Sequence, residues 1–234
     1  MNKECITGKA SFQMDVSYKI IETGDESEKP LILYLHGYKQ NRHYFEKRCA
    51  DLLSIEAYHL FLQGPYPVYD ETRARKLEEW GRAWYLYDGE QEQFLQSLEK
   101  SSQFIEELIN EIRTTFSINR SAVIGYSMGG YLAGYFALSR PQCVDDLIVM
   151  GGRIKSEIFS EKNYNGLRAL HIHGSKDESV AAEEAKKSCT SLGTMGAEVS
   201  FQEIDAGHKL NSAYMEEVKA WLETNGYESK RNKK

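Results

Sequence analysis

The chain has 234 residues, 41% hydrophobic and 27% charged, with a formal net charge of −6 at neutral pH. That is ordinary globular composition, which sets aside disordered, collagen-like and coiled-coil classes and favours one large domain over two. Acidic and basic residues are interspersed without a broad basic surface, which argues against nucleic acid as a partner.

The first ten residues mix Lys3, Glu4 and Lys9 with few apolar side chains, so they lack the core of a secretory signal, and no stretch reaches the roughly 20 apolar residues of a transmembrane helix. A cytoplasmic location is the expectation. Cys5, Cys49, Cys143 and Cys189 are scattered without a Cys-x-x-Cys pair and read as reduced structural thiols. With no repeat and no Pro- or Gly-rich linker, the expected organisation is a single domain over 1–226, followed by a basic, disordered tail at 227–234 carrying Lys230, Arg231, Lys233 and Lys234.

Along the chain, the alternation Phe12, Met14, Val16, Tyr18, Ile20 predicts a half-buried strand, antiparallel at a sheet edge. Continuous apolar runs at 31–35 and 58–62, stopped by His36-Gly37 and Gln63-Gly64-Pro65, predict strands buried on both faces. The runs 122–124, 147–150 and 170–172 repeat the theme, each closely followed by glycine, and 199–204 is strand-like. Helical patterns occupy 42–55, 91–115, 128–139, 178–192 and 212–224. Strand and helix alternate, which predicts an α/β fold with a mostly parallel central sheet and helices on both faces. In such sheets ligands bind beyond the carboxyl ends of the strands.

Gly125-Tyr126-Ser127-Met128-Gly129 is a Gly-x-Ser-x-Gly pattern between the strand at 122–124 and the helix from 128. That turn is so tight that side chains at 125 and 129 would meet neighbouring backbone, and it presents the Ser127 hydroxyl at a helix N-terminus, where negative charge is favoured. A serine hydroxyl needs a base, and the base a carboxylate to orient it; in this fold class the chain order is serine, acid, histidine.

Three histidines follow Ser127. His171 and His173 lie in an apolar strand and read as core residues; a metal-binding reading of the pair finds no neighbouring cysteine or carboxylate to complete it. His208, in a loop between the last strand and the last helix, reads as the base, with Gly207 permitting a tight turn; the alternative is a loop histidine capping the helix. Asp177 lies just beyond the strand at 170–172 and is the candidate acid. Glu178 competes with it, and Asp177 could instead be the N-cap of a helix starting at 178. Asp145 and Asp146 precede a strand, at the wrong end of the sheet, and Asp205 is too close to His208 in sequence. Oxyanion donors are expected from the backbone N–H groups of Met128 and of Tyr38, which follows the strand at 31–35.

Leu35-His36-Gly37, the Gly125 to Gly130 segment, His173-Gly174-x-x-Asp177-x-x-Val180 and Gly207-His208 together resemble the phospholipase/carboxylesterase branch of the α/β-hydrolases, which includes acyl-protein thioesterases. Gly64-Pro65 and Arg82-Ala83-Trp84-Tyr85 look like this branch too. The resemblance implies an α/β-hydrolase fold, Ser127, Asp177 and His208 as a triad, an oxyanion hole at Tyr38 and Met128, and Trp84 and Tyr85 beside the substrate. Two positions depart from it: Met128, where relatives often carry glutamine, and Ala181, where they carry proline. Neither removes a catalytic group. The loop 66–87, with Tyr66, Tyr69, Trp80, Trp84, Tyr85 and Tyr87, is the expected pocket wall. No insertion between the strands near 149 and 170 is long enough for a large cap domain.

The expected activity is hydrolysis of a small-molecule carboxylic ester or thioester through an acyl-enzyme, with no cofactor and no metal. The same triad could serve an amidase, peptidase or acyl transferase, and a non-catalytic binding module on the same fold is the rival from another class. A monomer and a homodimer are both compatible with the sequence.

Overall fold

The computed structural model describes residues 6–8, 10–159 and 162–229. In chain order the elements are β1 (Tyr18–Glu22), β2 (Lys29–Leu35), α1 (Arg42–Arg48), β3 (Tyr58–Leu62), β4 (Tyr66–Pro67), β5 (Arg82–Ala83), α2 (Gln91–Thr115), β6 (Ile118–Tyr126), α3 (Met128–Ser139), β7 (Asp146–Met150), β8 (Arg168–Gly174), α4 (Ala182–Thr194), β9 (Glu198–Ile204) and α5 (Ser212–Thr224). Seven strands form one sheet in the order β1-β3-β2-β6-β7-β8-β9. All pairings are parallel except β1 with β3. This is the mostly parallel, helix-covered sheet expected from the alternation of strand and helix.

The apolar runs are continuous because both sheet faces are covered. Leu31, Leu33, Leu35, Val123, Leu147 and Val149 face one core with Leu98 and Ile105 of α2 and Leu132 and Phe136 of α3. The residues between them, Ile32, Tyr34, Ala122, Ile124, Ile148 and Met150, face the other core with Phe45 of α1 and Tyr214, Val218 and Leu222 of α5. Each fully buried aliphatic side chain contributes about 1.5–3 kcal/mol by leaving water. Ile148→Ala, in the middle of the sheet, would cost about 2–5 kcal/mol.

Three expectations are corrected. The edge strand begins at Tyr18 rather than Phe12: Tyr18 pairs with Leu62, the last residue of β3, so earlier residues have no strand to pair with, and Phe12 and Met14 are exposed. The helix predicted over 42–55 ends at Arg48 and continues as a 3-10 turn over Ala50–Ser54. Cys49, Leu52 and Ile55, spaced by three, are all fully buried, and a three-residue repeat is the one that keeps such side chains in line. The predicted tail starts too early. Tyr227 is buried with its hydroxyl donating to Asp146 Oδ2 at 2.7 Å, and Glu228 O accepts from Glu56 N–H, so chain order extends through Ser229. The tail lysines and arginine lie outside the described residues, as does Cys5. Cys49, Cys143 and Cys189 are free and buried. Among the described residues no helix is long and apolar enough to cross a membrane.

Candidate active site

Ser127 sits between β6 and α3 with φ 50° and ψ −115°, in the left-handed region that a residue with a side chain enters only under constraint. Its N–H donates to Met150 O at 2.9 Å, and its carbonyl accepts from Gly130 N–H at 2.9 Å and Tyr131 N–H at 3.1 Å. Only glycine fits on either side. A Cβ at Gly125 would collide with the Gly129 carbonyl, and one at Gly129 with the Leu35 carbonyl oxygen and, at 2.6 Å, that of His36. The turn is thus wedged against the end of β2 and pushes the hydroxyl beyond the sheet.

Ser127 Oγ lies 2.9 Å from His208 Nε2, and His208 Nδ1 lies 2.7 Å from Asp177 Oδ2. His208 stands in the loop between β9 and α5. Tyr126 O–H donates to the His208 carbonyl at 2.8 Å and Tyr214 O–H to that of Gly207 at 3.1 Å. Gly207 does not adopt a positive φ, and a Cβ there would meet nothing closer than 3.6 Å, so the tight turn expected of it is not what positions His208. The two tyrosines do that.

Asp177 is buried beyond β8. Its Oδ1 accepts from Ser179 N–H at 2.8 Å and Val180 N–H at 3.0 Å. Burial pushes the carboxyl up, but the hydrogen bonds from His208 and from the Val180 and Ser179 N–H groups outweigh it and hold Asp177 below the usual carboxylate value. Asp177 is therefore not the N-cap of the following helix. Its side chain closes a local turn, and α4 starts only at Ala182, after Ala181. His208 meets Asp177 rather than Glu178.

The N–H groups of Tyr38 and Met128 have no acceptor among the described residues. The loop carrying Tyr38 is held on all sides. Gly37 N–H donates to Gln40 Oε1 at 3.0 Å and Lys39 N–H to Arg82 O at 3.0 Å. Before it, His36 is buried with both ring nitrogens occupied: Nδ1 lies 2.8 Å from Gly37 O and Nε2 accepts from Gly64 N–H at 3.0 Å. A carbonyl only accepts, so Nδ1 carries the proton, and burial pushes the ring down to about 4. His36, read in the sequence as part of a strand-ending turn, is thus a fixed neutral strut.

A cleft of about 630 Å³ opens at Ser127, lined by Tyr38, Tyr66, Tyr85, Tyr87 and Tyr131 among others, and none of its lining side chains is charged. Tyr85 and Tyr87 are braced edge-on by Phe94, at 5.0 and 5.4 Å between centroids. Trp84, expected beside the substrate, is instead fully buried: its indole N–H donates to His36 O at 2.7 Å and its ring lies 4.8 Å from that of His36. Tyr69 and Trp80 pack on each other, 5.0 Å apart, away from the cleft. Tyr131 is a lining residue that the sequence reading does not single out, although its place four residues after Ser127 puts it on the first turn of α3. His171 and His173 are fully buried in β8, as expected of core residues. Among the described residues, no group of three or more His, Cys, Asp or Glu side chains is gathered for a metal ion.

The arrangement can deprotonate a serine hydroxyl, hold the resulting imidazolium and accept an oxyanion at free backbone donors. The phospholipase/carboxylesterase family model matches residues 16–226. Solved structures of similar fold include the Bacillus cereus carboxylesterase, 19% identical over 89% of this chain and 94% of that one, with a TM-score of 0.75. The carboxylesterase from Mesorhizobium loti is 21% identical over 89% and 94% of the two chains, with a TM-score of 0.71. Zea mays acyl-protein thioesterase 2 is 18% identical over 89% and 98%, with a TM-score of 0.71. No curated protein sequence matches the chain.

Proposed function

The chain belongs to the phospholipase/carboxylesterase family, and from that premise we propose that it hydrolyses neutral carboxylic esters through an acyl-enzyme on Ser127. His208 Nε2 takes the Ser127 proton as Oγ attacks the ester carbonyl. The Tyr38 and Met128 N–H groups donate to the developing oxyanion, with the N-terminus of α3 adding its favourable potential. Collapse of the tetrahedral species breaks the bond to the alcohol, which leaves with the proton from His208. Water, deprotonated by the same histidine, then attacks the acyl-enzyme and frees the acid and Ser127. Asp177 fixes the His208 tautomer and balances the charge of the imidazolium.

One observation carries the reading: two consecutive hydrogen bonds of 2.9 and 2.7 Å link Ser127, His208 and Asp177 across three separate loops at one end of the sheet. The uncharged, tyrosine-rich cleft supports a neutral substrate, because no lining group would repay the desolvation of a charge. Turnover of 4-nitrophenyl acetate, of a thioester of the same acid and of the matching anilide tests it. Ester cleavage well above anilide cleavage is expected; anilide cleavage without ester cleavage would overturn the ester reading.

A further inference from the structure

Two histidines that take no part in the steps above stand directly behind the acid. His171 and His173 lie two residues apart on the same face of β8, both fully buried, with the Phe201 ring of β9 nearly parallel to each at 5.3 and 6.5 Å between centroids. His173 Nε2 is 2.9 Å from Val180 O and 3.7 Å from Asp177 Oδ2. His173 Nδ1 is 3.3 Å from His171 Nε2.

The proton positions follow from the partners. A carbonyl oxygen only accepts, so His173 Nε2 carries a proton. In a neutral ring Nδ1 then offers only its lone pair, and His171 Nε2–H must be the donor to it. His171 Nδ1 is left as a buried lone pair with no partner among the described residues. Burial and the neighbouring His173 push His171 down to about 3, so this nitrogen stays bare near neutral pH. An unsatisfied buried acceptor opposes stability, and a leucine would fill similar space without it. Core packing alone therefore does not account for His171.

What the pair does hold is Val180. The N–H of Val180 donates to Asp177 Oδ1, and its carbonyl accepts from His173, so the turn that aims Asp177 Oδ2 at His208 is tied back to the rigid strand it leaves. We infer that His173, kept in its Nε2–H tautomer by His171, is a positioning residue that fixes the 177–180 turn and thereby the carboxylate facing His208. This role presupposes that Asp177 serves as the acid proposed above.

The test compares the wild type with His173→Leu, His173→Gln and His171→Leu. Three quantities are read: kcat and KM for 4-nitrophenyl acetate, the low-field proton resonance of His208 Nδ1–H, and the melting temperature. For His173→Leu, kcat falls by up to about 100-fold, the cost of roughly 1 Å of misplacement, while KM stays within about twofold and the low-field resonance shifts or broadens away. His173→Gln, whose amide still donates to the Val180 carbonyl, recovers most of kcat and the resonance. His171→Leu, which leaves the His173 donor but frees its tautomer, shows a smaller loss of kcat in the same direction. If His173→Leu does not fold, the other two variants decide. Folded variants with unchanged kcat and resonance, or a Gln variant no better than Leu, overturn the role of the pair. A wild type that hydrolyses no ester overturns the reading of the site itself, so the two failures are distinguishable.

Discussion

The hydroxyl of Tyr126 donates to the main-chain carbonyl of His208 at 2.8 Å, so the residue just before the nucleophile holds the loop that carries the base. Their rings also lie 5.5 Å apart, so packing and hydrogen bonding act on the same loop. The strand end that carries the nucleophile therefore also holds the base, together with Tyr214 of α5.

Tyr126→Phe removes that hydrogen bond and keeps the ring. One such bond contributes about 1 kcal/mol net, which corresponds to a several-fold loss in kcat if it serves mainly to place His208. Steady-state kinetics with a short ester should show the loss in kcat with KM little changed. A rise in KM alone would mean that Tyr126 acts on substrate binding instead.

Gly129→Ala places a methyl group against the backbone oxygens of Leu35 and His36, atoms that cannot rotate aside. Overpacking of this kind costs about 1–3 kcal/mol and here also moves the oxyanion side of the site, so stability and turnover should fall together. Gly193→Ala in α4 is the matched control. Nothing lies within 4 Å of its Cβ, and a helical alanine should stabilise by about 0.5–1 kcal/mol. Thermal melts of both variants check the contrast.

Acid should destabilise the fold below about pH 6.5, where three buried neutral histidines oppose protonation. Burial pushes His36 and His59 down to about 4 and His171 to about 3. An unfolded histidine titrates near 6.5, so below about pH 6.5 the unfolded chain binds more protons than the folded one. The stability these three rings contribute is complete above that pH and is lost as pH falls toward 4. Each adds a slope of up to about 1.4 kcal/mol per pH unit in that window. Melting temperature should drop between pH 7 and pH 5, and His171→Leu should flatten the drop; a constant melting temperature would contradict buried neutral rings.

Asp177→Asn should lower kcat by up to about 10⁴-fold, because the amide favours the wrong His208 tautomer. Glu178→Gln should leave kcat near the wild-type value. The reverse order would move the acid to Glu178.

The features legible in the sequence were those tied to strand ends. Ser127 and Asp177 each follow an apolar run closely and His208 follows the strand-like 199–204, and in a parallel sheet those positions converge on one edge. The exact bounds of α2, α3 and α5 were likewise readable, since apolar periodicity starts and stops with the helix. The burial of Trp84 is not legible in the sequence because it depends on the His36 carbonyl, 48 residues away, which no local pattern marks. The start of α4 differs from the sequence expectation because the Asp177 carboxylate takes up the N–H groups of Ser179 and Val180 in a turn of its own, and helix propensity counts those residues as helix. The bracing of His208 by Tyr126 and Tyr214 is side chain to backbone across distant loops, and it leaves no trace in composition.

Covalent labelling tests the central claim most directly. Incubation of the folded protein with a fluorophosphonate, followed by peptide mass mapping, should place one adduct on Ser127, abolish ester turnover in proportion and leave Ser127→Ala unlabelled with its melting temperature near wild type. Ester turnover that persists in Ser127→Ala, or an adduct on another serine with Ser127 unmodified, would contradict the account.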